Sequence, residues 1–187
     1  MKQKNRKETN SMDIRIINPH EQAQYYGEIL EMLYMSDDDF VPPLSARSST
    51  TQKDFTSSQK TKDGILQYFE EMKSQRFMAV LEDGKVMAFV SYRENYINSV
   101  ITEAYTPNIY LSTLIMRPEA RGKGLTKMMY RLLFKEYEDK YICTRTWSTN
   151  IAHKKILDFY NFSTFATLPD DRGKGIDTVY FMKEPAR

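Results

Sequence analysis

At 187 residues and 22.0 kDa the chain is long enough to bury a core of its own. Its 41% hydrophobic and 13% aromatic content excludes global disorder, and a net charge of +2 gives its bulk electrostatics no pull towards nucleic acid. The single cysteine, Cys143, excludes an internal disulfide and fits a reducing, cytoplasmic compartment, and no apolar run reaches the ~20 residues that span a bilayer.

Met1 to Met12 is polar and without periodicity, and is expected to be a disordered tail preceding one domain over residues 13–187. Asp13 to Ile17 reads as a strand. Asn18-Pro19-His20-Glu21 reads as a helix start, with Asn18 as N-cap, Pro19 in the first turn and Glu21 closing a capping box. Tyr26, Ile29, Leu30 and Leu33 continue it at helical spacing. Ser36 to Lys60, with Pro42-Pro43, is expected to be a long ordered loop, and Thr61 to Met72 a second helix.

The period then changes to two. Phe77 to Leu81 and Val86 to Tyr92 flank Glu82-Asp83-Gly84-Lys85, a hairpin whose Asp-Gly pair supplies positive φ. Glu94 to Pro107 is either a strand extension or an excursion. Ile109 to Met116 reads as a strand, Leu125 to Tyr137 as a helix and Tyr141 to Trp147 as a strand. Asn150 to Tyr160 is helical, with Ala152, Ile156 and Phe159 towards the core, and Phe162 to Leu168 with Ile176 to Met182 closes the chain as a hairpin. The predicted order is β-α-α-β-β-β-α-β-α-β-β.

The sharpest local feature is Arg117-Pro118-Glu119-Ala120-Arg121-Gly122-Lys123-Gly124-Leu125-Thr126, set between a strand and a helix. Two glycines let the backbone turn tightly and approach a ligand. The unpaired N–H groups of the helix that follows, with its positive dipole end, suit an anion. Arg117, Arg121, Lys123, Lys127 and Arg131 add positive field against one Glu119, so a pyrophosphate fits this turn. The spacing is neither that of a Walker A loop nor that of a Rossmann fingerprint, where Lys127 would have to be glycine. Arg172-Gly173-Lys174-Gly175 repeats the four letters, but strand-forming residues follow, so that copy is expected to be a hairpin loop. Two histidines and one cysteine give a metal no ligand set.

A strand, an Arg-x-Gly-x-Gly-like turn and an amphipathic helix together resemble the GNAT superfamily of acyl-CoA-dependent N-acyltransferases. The signature Gln/Arg-x-x-Gly-x-Gly/Ala reads here Arg121-Gly122-Lys123-Gly124-Leu125-Thr126, with Thr126 in the last position. Leu114-Ile115-Met116-Arg117-Pro118 before it and Asn150 opening a later helix match as well. The resemblance implies an α/β fold: a mixed central sheet of about six to seven strands, splayed between strands 4 and 5, with about four helices. It implies acetyl-CoA in that cleft and transfer of its acetyl group to a primary amine by direct attack in a ternary complex. The pantetheine arm would pair with Leu114, Ile115 and Met116, and the pyrophosphate would sit on Arg121, Gly122, Lys123, Gly124, Leu125 and Thr126. Asn150, His153 and Leu157 would complete the cofactor wall, and a bulge in the strand would aim an N–H at the thioester carbonyl.

The family's tyrosine that protonates the leaving thiolate has Leu157 in its place, and Asn161-Phe162 stands for Gly-Phe. Tyr160, one turn beyond Leu157, either reaches the sulfur as general acid or packs. Glu94, Glu103 and Asp177 are the carboxylates weighed as general base, Trp147 is expected to line the acceptor pocket, and Cys143 is expected to be core. Asp38, Asp39, Asp170 and Asp171 either attract a cationic amine or solvate their loops. The acceptor stays open between antibiotic, polyamine, amino acid and peptide amine, a homodimer is compatible, and the rivals are a CoA-binding sensor without turnover and a nucleic-acid-binding domain.

Overall fold

The computed structural model describes residues 12–55 and 58–186. Of the expected tail, Met1 to Met12, residues 1–11 lie outside the described residues, and Met12 belongs to the first strand. Seven strands, β1 (Met12–Ile16), β2 (Arg76–Glu82), β3 (Lys85–Glu94), β4 (Asn108–Met116), β5 (Tyr141–Trp147), β6 (Ser163–Leu168) and β7 (Thr178–Lys183), form one sheet in the order β1-β2-β3-β4-β5-β7-β6. Only β4 and β5 run parallel; every other neighbouring pair is antiparallel. The helices are α1 (Tyr26–Met35), α2 (Gly64–Met72), α3 (Leu125–Glu136) and α4 (Ile151–Phe159).

Strand alternation sends side chains to two separate cores. Phe77, Ala79 and Leu81 of β2 pack under α1 and α2 with Ile29, Leu33, Tyr68 and Phe69. Met78 and Val80 point the other way, into a core shared with Leu125, Met129, Tyr130 and Leu133 of α3 and Leu157 of α4. A third cluster, Tyr110, Cys143 and Tyr180 with Ile101, packs the far end of β4, β5 and β7.

The order of elements matches the sequence reading, and the β2–β3 turn has both Asp83 (φ 50°) and Gly84 (φ 83°) left-handed. The differences are local. The entry to α1 is a 3-10 segment, Pro19–Tyr25, so the α-helix proper starts seven residues late; the Asn18 side chain still caps it, accepting from the His20 N–H at 3.0 Å. Residues 36–60 contain two 3-10 turns, Asp37–Asp39 and Leu44–Ala46. Helix α2 starts at Gly64 instead of Thr61. Residues 95–107 are an excursion: the Asn98 carboxamide accepts from Val100 and Ile101, and Tyr96 stacks on Tyr110 at 4.5 Å. On α4 the buried residue is Leu157, while Phe159 is 55% exposed and lies under the Lys127 ammonium, 4.0 Å from ring centroid to Nζ. On α3 Met128 faces outward and Tyr130 takes the inner position. Among the described residues, no helix is long and apolar enough to cross a membrane.

Candidate active site

Strands β4 and β5 pair only from Asn108↔Tyr141 to Leu111↔Thr144. The next residue of β4 is the reason. Ser91 on β3 faces Thr113 and Tyr92 faces Leu111, so Ser112 is the extra residue of a β-bulge, which bends β4 away from its parallel neighbour. The Ser112 hydroxyl is held by Ser91 and Gln75. At the vertex the Thr144 hydroxyl donates to the Leu111 carbonyl at 3.0 Å. Beyond it, β4 continues along β3 and β5 continues along β7, leaving a V-shaped opening. A cavity of ≈ 410 Å³ fills the V, with Leu114, Ile115 and Met116 on one wall and Arg145 to Trp147 on the other.

The basic turn stands at one end of this cavity. Gly122 (φ 76°) and Gly124 (φ 75°) are both left-handed, and a Cβ at either would meet open space, so the requirement is conformational and not steric. Gly124 is the N-cap of α3, no side chain caps this end, and the first helical bond runs from Met128 N–H to the Gly124 carbonyl at 3.2 Å. The N–H groups of Leu125, Thr126 and Lys127 therefore face outward, and an anion can take them. Thr126 and Arg121 line the cavity; Gly122, Lys123 and Gly124, exposed in the turn between them, do not, and the Leu125 side chain is buried in the core. The Arg121 guanidinium, largely exposed, donates to Asp39 at 2.8 Å and bridges this turn to the loop after α1.

Arg117, counted from sequence with the basic turn, does not join it. Its buried guanidinium turns back, with Nε donating to the Val86 carbonyl at 2.8 Å and Nη2 to Glu31 at 2.7 Å. That contact holds the Glu31 carboxyl below its usual range. Pro118 opens a short 3-10 turn, which points the preceding side chain at α1 and away from the glycines.

Helix α4 forms the remaining wall. The Asn150 side chain caps it by accepting from His153 N–H at 3.2 Å, and it also donates to the Thr146 hydroxyl at 2.9 Å. Asn150, Ala152, His153 and Ile156 line the cavity. Leu157 does not: one position further round the helix, it is buried in the core. Tyr160 also stands apart from the cavity. Its hydroxyl donates to the Lys127 carbonyl at 2.9 Å and its ring packs on Tyr130 and Phe134, because the helix ends there with Asn161 left-handed (φ 58°).

The cavity wall carries a different tyrosine. Tyr130, from the middle of α3, lies with its Oη 3.0 Å from Nε2 of His153. Burial pushes the phenol above its ordinary value and brings the imidazole down to about 4, so both are neutral near pH 7. This pair was missed in the sequence, where helical spacing groups Leu125, Met128, Met129, Leu132, Leu133 and Tyr137 as the apolar face and leaves Tyr130 out of it.

The carboxylates weighed as bases are elsewhere. Glu94 pairs with Lys140 and Arg76 at the opposite end of the sheet, Glu103 opens an exposed turn, and Asp177 Oδ1 accepts from the Asp170 N–H at 3.0 Å. Cys143 is buried mid-strand with its thiol pushed up to about 12 by burial, which keeps it protonated. The second Arg-Gly-Lys-Gly stretch lies in the β6–β7 hairpin, as its strand-forming successors required. Trp147 lines the cavity and its ring packs 5.8 Å from Phe40.

A family model described as Acetyltransferase (GNAT) family matches residues 45–165. No curated protein matches the chain significantly. Among solved structures, an N-acetyltransferase from Staphylococcus aureus Mu50 is 18% identical, covering 93% of this chain and 98% of that one, with a TM-score of 0.62. The protein yncA from Salmonella typhimurium, solved with its cofactor acetyl-CoA, is 16% identical with 95% of each chain covered and a TM-score of 0.62. A ribosomal-protein-alanine N-acetyltransferase from Brucella melitensis is 16% identical, covering 92% and 99%, with a TM-score of 0.62. With the splayed β4–β5 pair and the glycine turn capping α3, the match over residues 45–165 shows that the chain belongs to the acetyltransferase (GNAT) family.

Proposed function

We propose that the protein is an N-acetyltransferase that moves the acetyl group of acetyl-CoA to a primary amine by direct attack in a ternary complex. The observation that carries this reading is the opening between β4 and β5, which ends on the uncapped N-terminus of α3. The residues fit the cofactor. The Arg121 to Thr126 turn offers N–H donors and positive charge for a diphosphate, and Leu114 to Met116 lie on the free edge of β4, where an extended arm can add as a strand. Acetyl-CoA supplies the activated acyl group and a thiolate leaving group.

The chain's own groups then have separate tasks. An alkylammonium with pKa ~10.4 must lose its proton, at a cost of on the order of 4–5 kcal/mol at neutral pH. The bulge at Ser112 interrupts the β3–β4 ladder and leaves main-chain groups of β4 without ladder partners, and an N–H among them can meet negative charge growing on a carbonyl oxygen. Tyr130 holds its proton at Oη on the cleft wall. When His153 carries its proton on Nε2 it donates to the Tyr130 oxygen, and the phenolic hydrogen is then free to point into the cleft. A thiol ordinarily titrates near ~8.5 and Tyr130 lies above the usual ~10, so the phenol steadies a departing sulfur by donating a hydrogen bond and keeps its proton. Tyr130 meets the sulfur in place of Tyr160, as a hydrogen-bond donor and not as the general acid that the sequence offered; the Tyr160 hydroxyl is bound to the Lys127 carbonyl.

Incubating the protein with acetyl-CoA and a panel of amines, and following thiol release and acetylated product by mass, tests the reading. Amine-dependent thiol release with matching product supports it; acetyl-CoA binding without product from any amine contradicts it.

A further inference from the structure

Three arginines from three separate elements converge beyond Trp147. Arg47 comes from the loop after α1, Arg145 from β5 and Arg172 from the β6–β7 hairpin. Their guanidinium carbons lie 5.3, 5.1 and 4.5 Å from the centroid of one ring, Phe55. Arg172 also lies 5.8 Å over Trp147, and Arg47 5.1 Å over Phe40, so the cluster is continuous with the aromatic end of the cavity, which Arg145 itself lines.

Arg47 and Arg172 are each only 7% exposed, yet none of the three is in an ion pair between described residues. Their hydrogen bonds go to neutral acceptors. Arg47 donates to the carbonyls of Pro42 (3.0 Å) and Val41 (3.3 Å). Arg145 donates to the Tyr180 hydroxyl (3.2 Å) and the Gln52 carbonyl, and Arg172 to the Val41 carbonyl (2.6 Å) and the Thr178 hydroxyl (2.8 Å). Asp171 accepts from the Thr178 hydroxyl to which Arg172 donates, and its charge acts to raise the Arg172 pKa without forming an ion pair with it. Burial, with the neighbouring Arg47 and Arg145 charges, pulls Arg172 down to about 9; burial pulls Arg47 down to about 10.

The acidic residues around the same entrance are, by contrast, satisfied. Asp37 accepts from Ser45, Asp38 from Lys60, Asp39 from Arg121, and Asp170 from the Gly175 N–H. Burying several like charges without counter-ions is costly, and the cost is offset when an anion enters. Guanidinium forks match planar or tetrahedral oxyanions.

We infer that the acceptor amine carries an anionic group, a carboxylate or phosphonate, which Arg47, Arg145 and Arg172 receive while the amine points along Trp147 towards the β4–β5 opening. This rests on the acetyl-transfer reading and narrows it: amino acids and aminophosphonates become favoured acceptors and polyamines disfavoured ones. In the reaction the amine nitrogen forms the new bond to the acetyl carbon and the bond to sulfur breaks. Of the two protons the ammonium gives up, one leaves to solvent before attack and the second passes to the departing thiolate, so that CoA leaves as its thiol and the anionic group is unchanged.

The test is a set of amines, each paired with its carboxylate- or phosphonate-bearing counterpart, for example isopentylamine with L-leucine and ethylamine with aminoethylphosphonate. Each is assayed by thiol release with wild type, Arg145→Gln and Arg172→Gln, alongside thermal unfolding with and without acetyl-CoA. The expected result is that the anionic member of a pair has the higher kcat/KM. Either substitution lowers that value by roughly 10- to 100-fold, the loss of a buried charge-assisted contact, with the KM for acetyl-CoA unchanged. Equal rates within every pair, or a preference for polyamines, overturn the inference while leaving acetyl transfer standing. Variants that melt earlier yet keep the wild-type ratio within pairs show that the arginines only pin the loop to the hairpin, and also overturn it. No stabilisation of the wild type by acetyl-CoA overturns both this inference and the reading beneath it.

Discussion

The Tyr130 hydroxyl and Nε2 of His153 lie 3.0 Å apart on the inner wall of the β4–β5 opening, while the hydroxyl of Tyr160 is bound to the Lys127 carbonyl outside it. The two tyrosine rings pack against each other, tilted by 31° with centroids 5.7 Å apart, and their hydroxyls have different partners. Tyr130→Phe is expected to lower kcat by about 10- to 100-fold with the KM for acetyl-CoA little changed, the effect of losing one positioned donor. Tyr160→Phe is expected to change kcat by less than about 2-fold. Steady-state kinetics of the two variants side by side decide between them.

Acid sensitivity follows from His153. Its imidazole titrates at about 4 when folded, against 6.5 ordinarily, because burial disfavours the charged form. Between those values the unfolded chain binds a proton that the folded chain does not. The stabilising contribution is therefore present above pH 6.5 and is lost as the pH falls towards 4. With water able to enter the cleft, the loss is on the order of 1–3 kcal/mol. His153→Gln, which keeps a partner for Tyr130, should flatten this part of the profile; melting temperatures of both proteins from pH 7 to 4.5 measure it.

Arg117 and Arg121 are four residues apart and belong to different machinery. Arg117→Met is expected to cost about 2 kcal/mol of stability, since the Val86 carbonyl and Glu31 lose a buried charged donor, and to leave acetyl-CoA affinity within about 3-fold. Arg121→Met removes only an exposed ion pair with Asp39, worth less than about 1 kcal/mol, and should weaken acetyl-CoA binding. Denaturant midpoints and acetyl-CoA titrations separate the two effects.

Gly64 sets the position of the arginine loop. A Cβ there would lie 1.9 Å from the Ser45 carbonyl oxygen, and backbone cannot yield that much without moving. Gly64→Ala is expected to destabilise the protein by about 3 kcal/mol, and to shift the loop that carries Arg47. Chemical denaturation gives the first; loss of acceptor kcat/KM at unchanged acetyl-CoA KM gives the second.

Much of this was legible in the sequence, because it rests on local rules. Asp83-Gly84 specified its hairpin, Asn150 its helix cap, and the glycines at 122 and 124 the turn before α3. The misplaced residues depend on rotation about helix axes and on distant partners. Phe159 and Leu157 sit two positions apart, on nearly opposite sides of a short helix that carries apolar residues on both, so spacing alone does not say which side is buried. Arg117 looked basic and local, yet its partners lie on α1 and β3. The arginine trio joins positions 47, 145 and 172 across a sheet crossover, which no spacing along the chain reveals.

The central claim is that the Arg121 to Thr126 turn receives the diphosphate of acetyl-CoA. Thermal unfolding of wild type and Gly124→Glu, each with and without acetyl-CoA, tests it most directly. The substitution places a carboxylate at a left-handed position at the mouth of the anion site, where a Cβ meets no neighbour, so the fold should survive with a loss of about 1–2 kcal/mol. At 100 times its Kd, acetyl-CoA should stabilise the wild type by ~2.7 kcal/mol and the variant far less. An unchanged melting temperature of the wild type at saturating acetyl-CoA, or equal shifts in both proteins, would contradict the account.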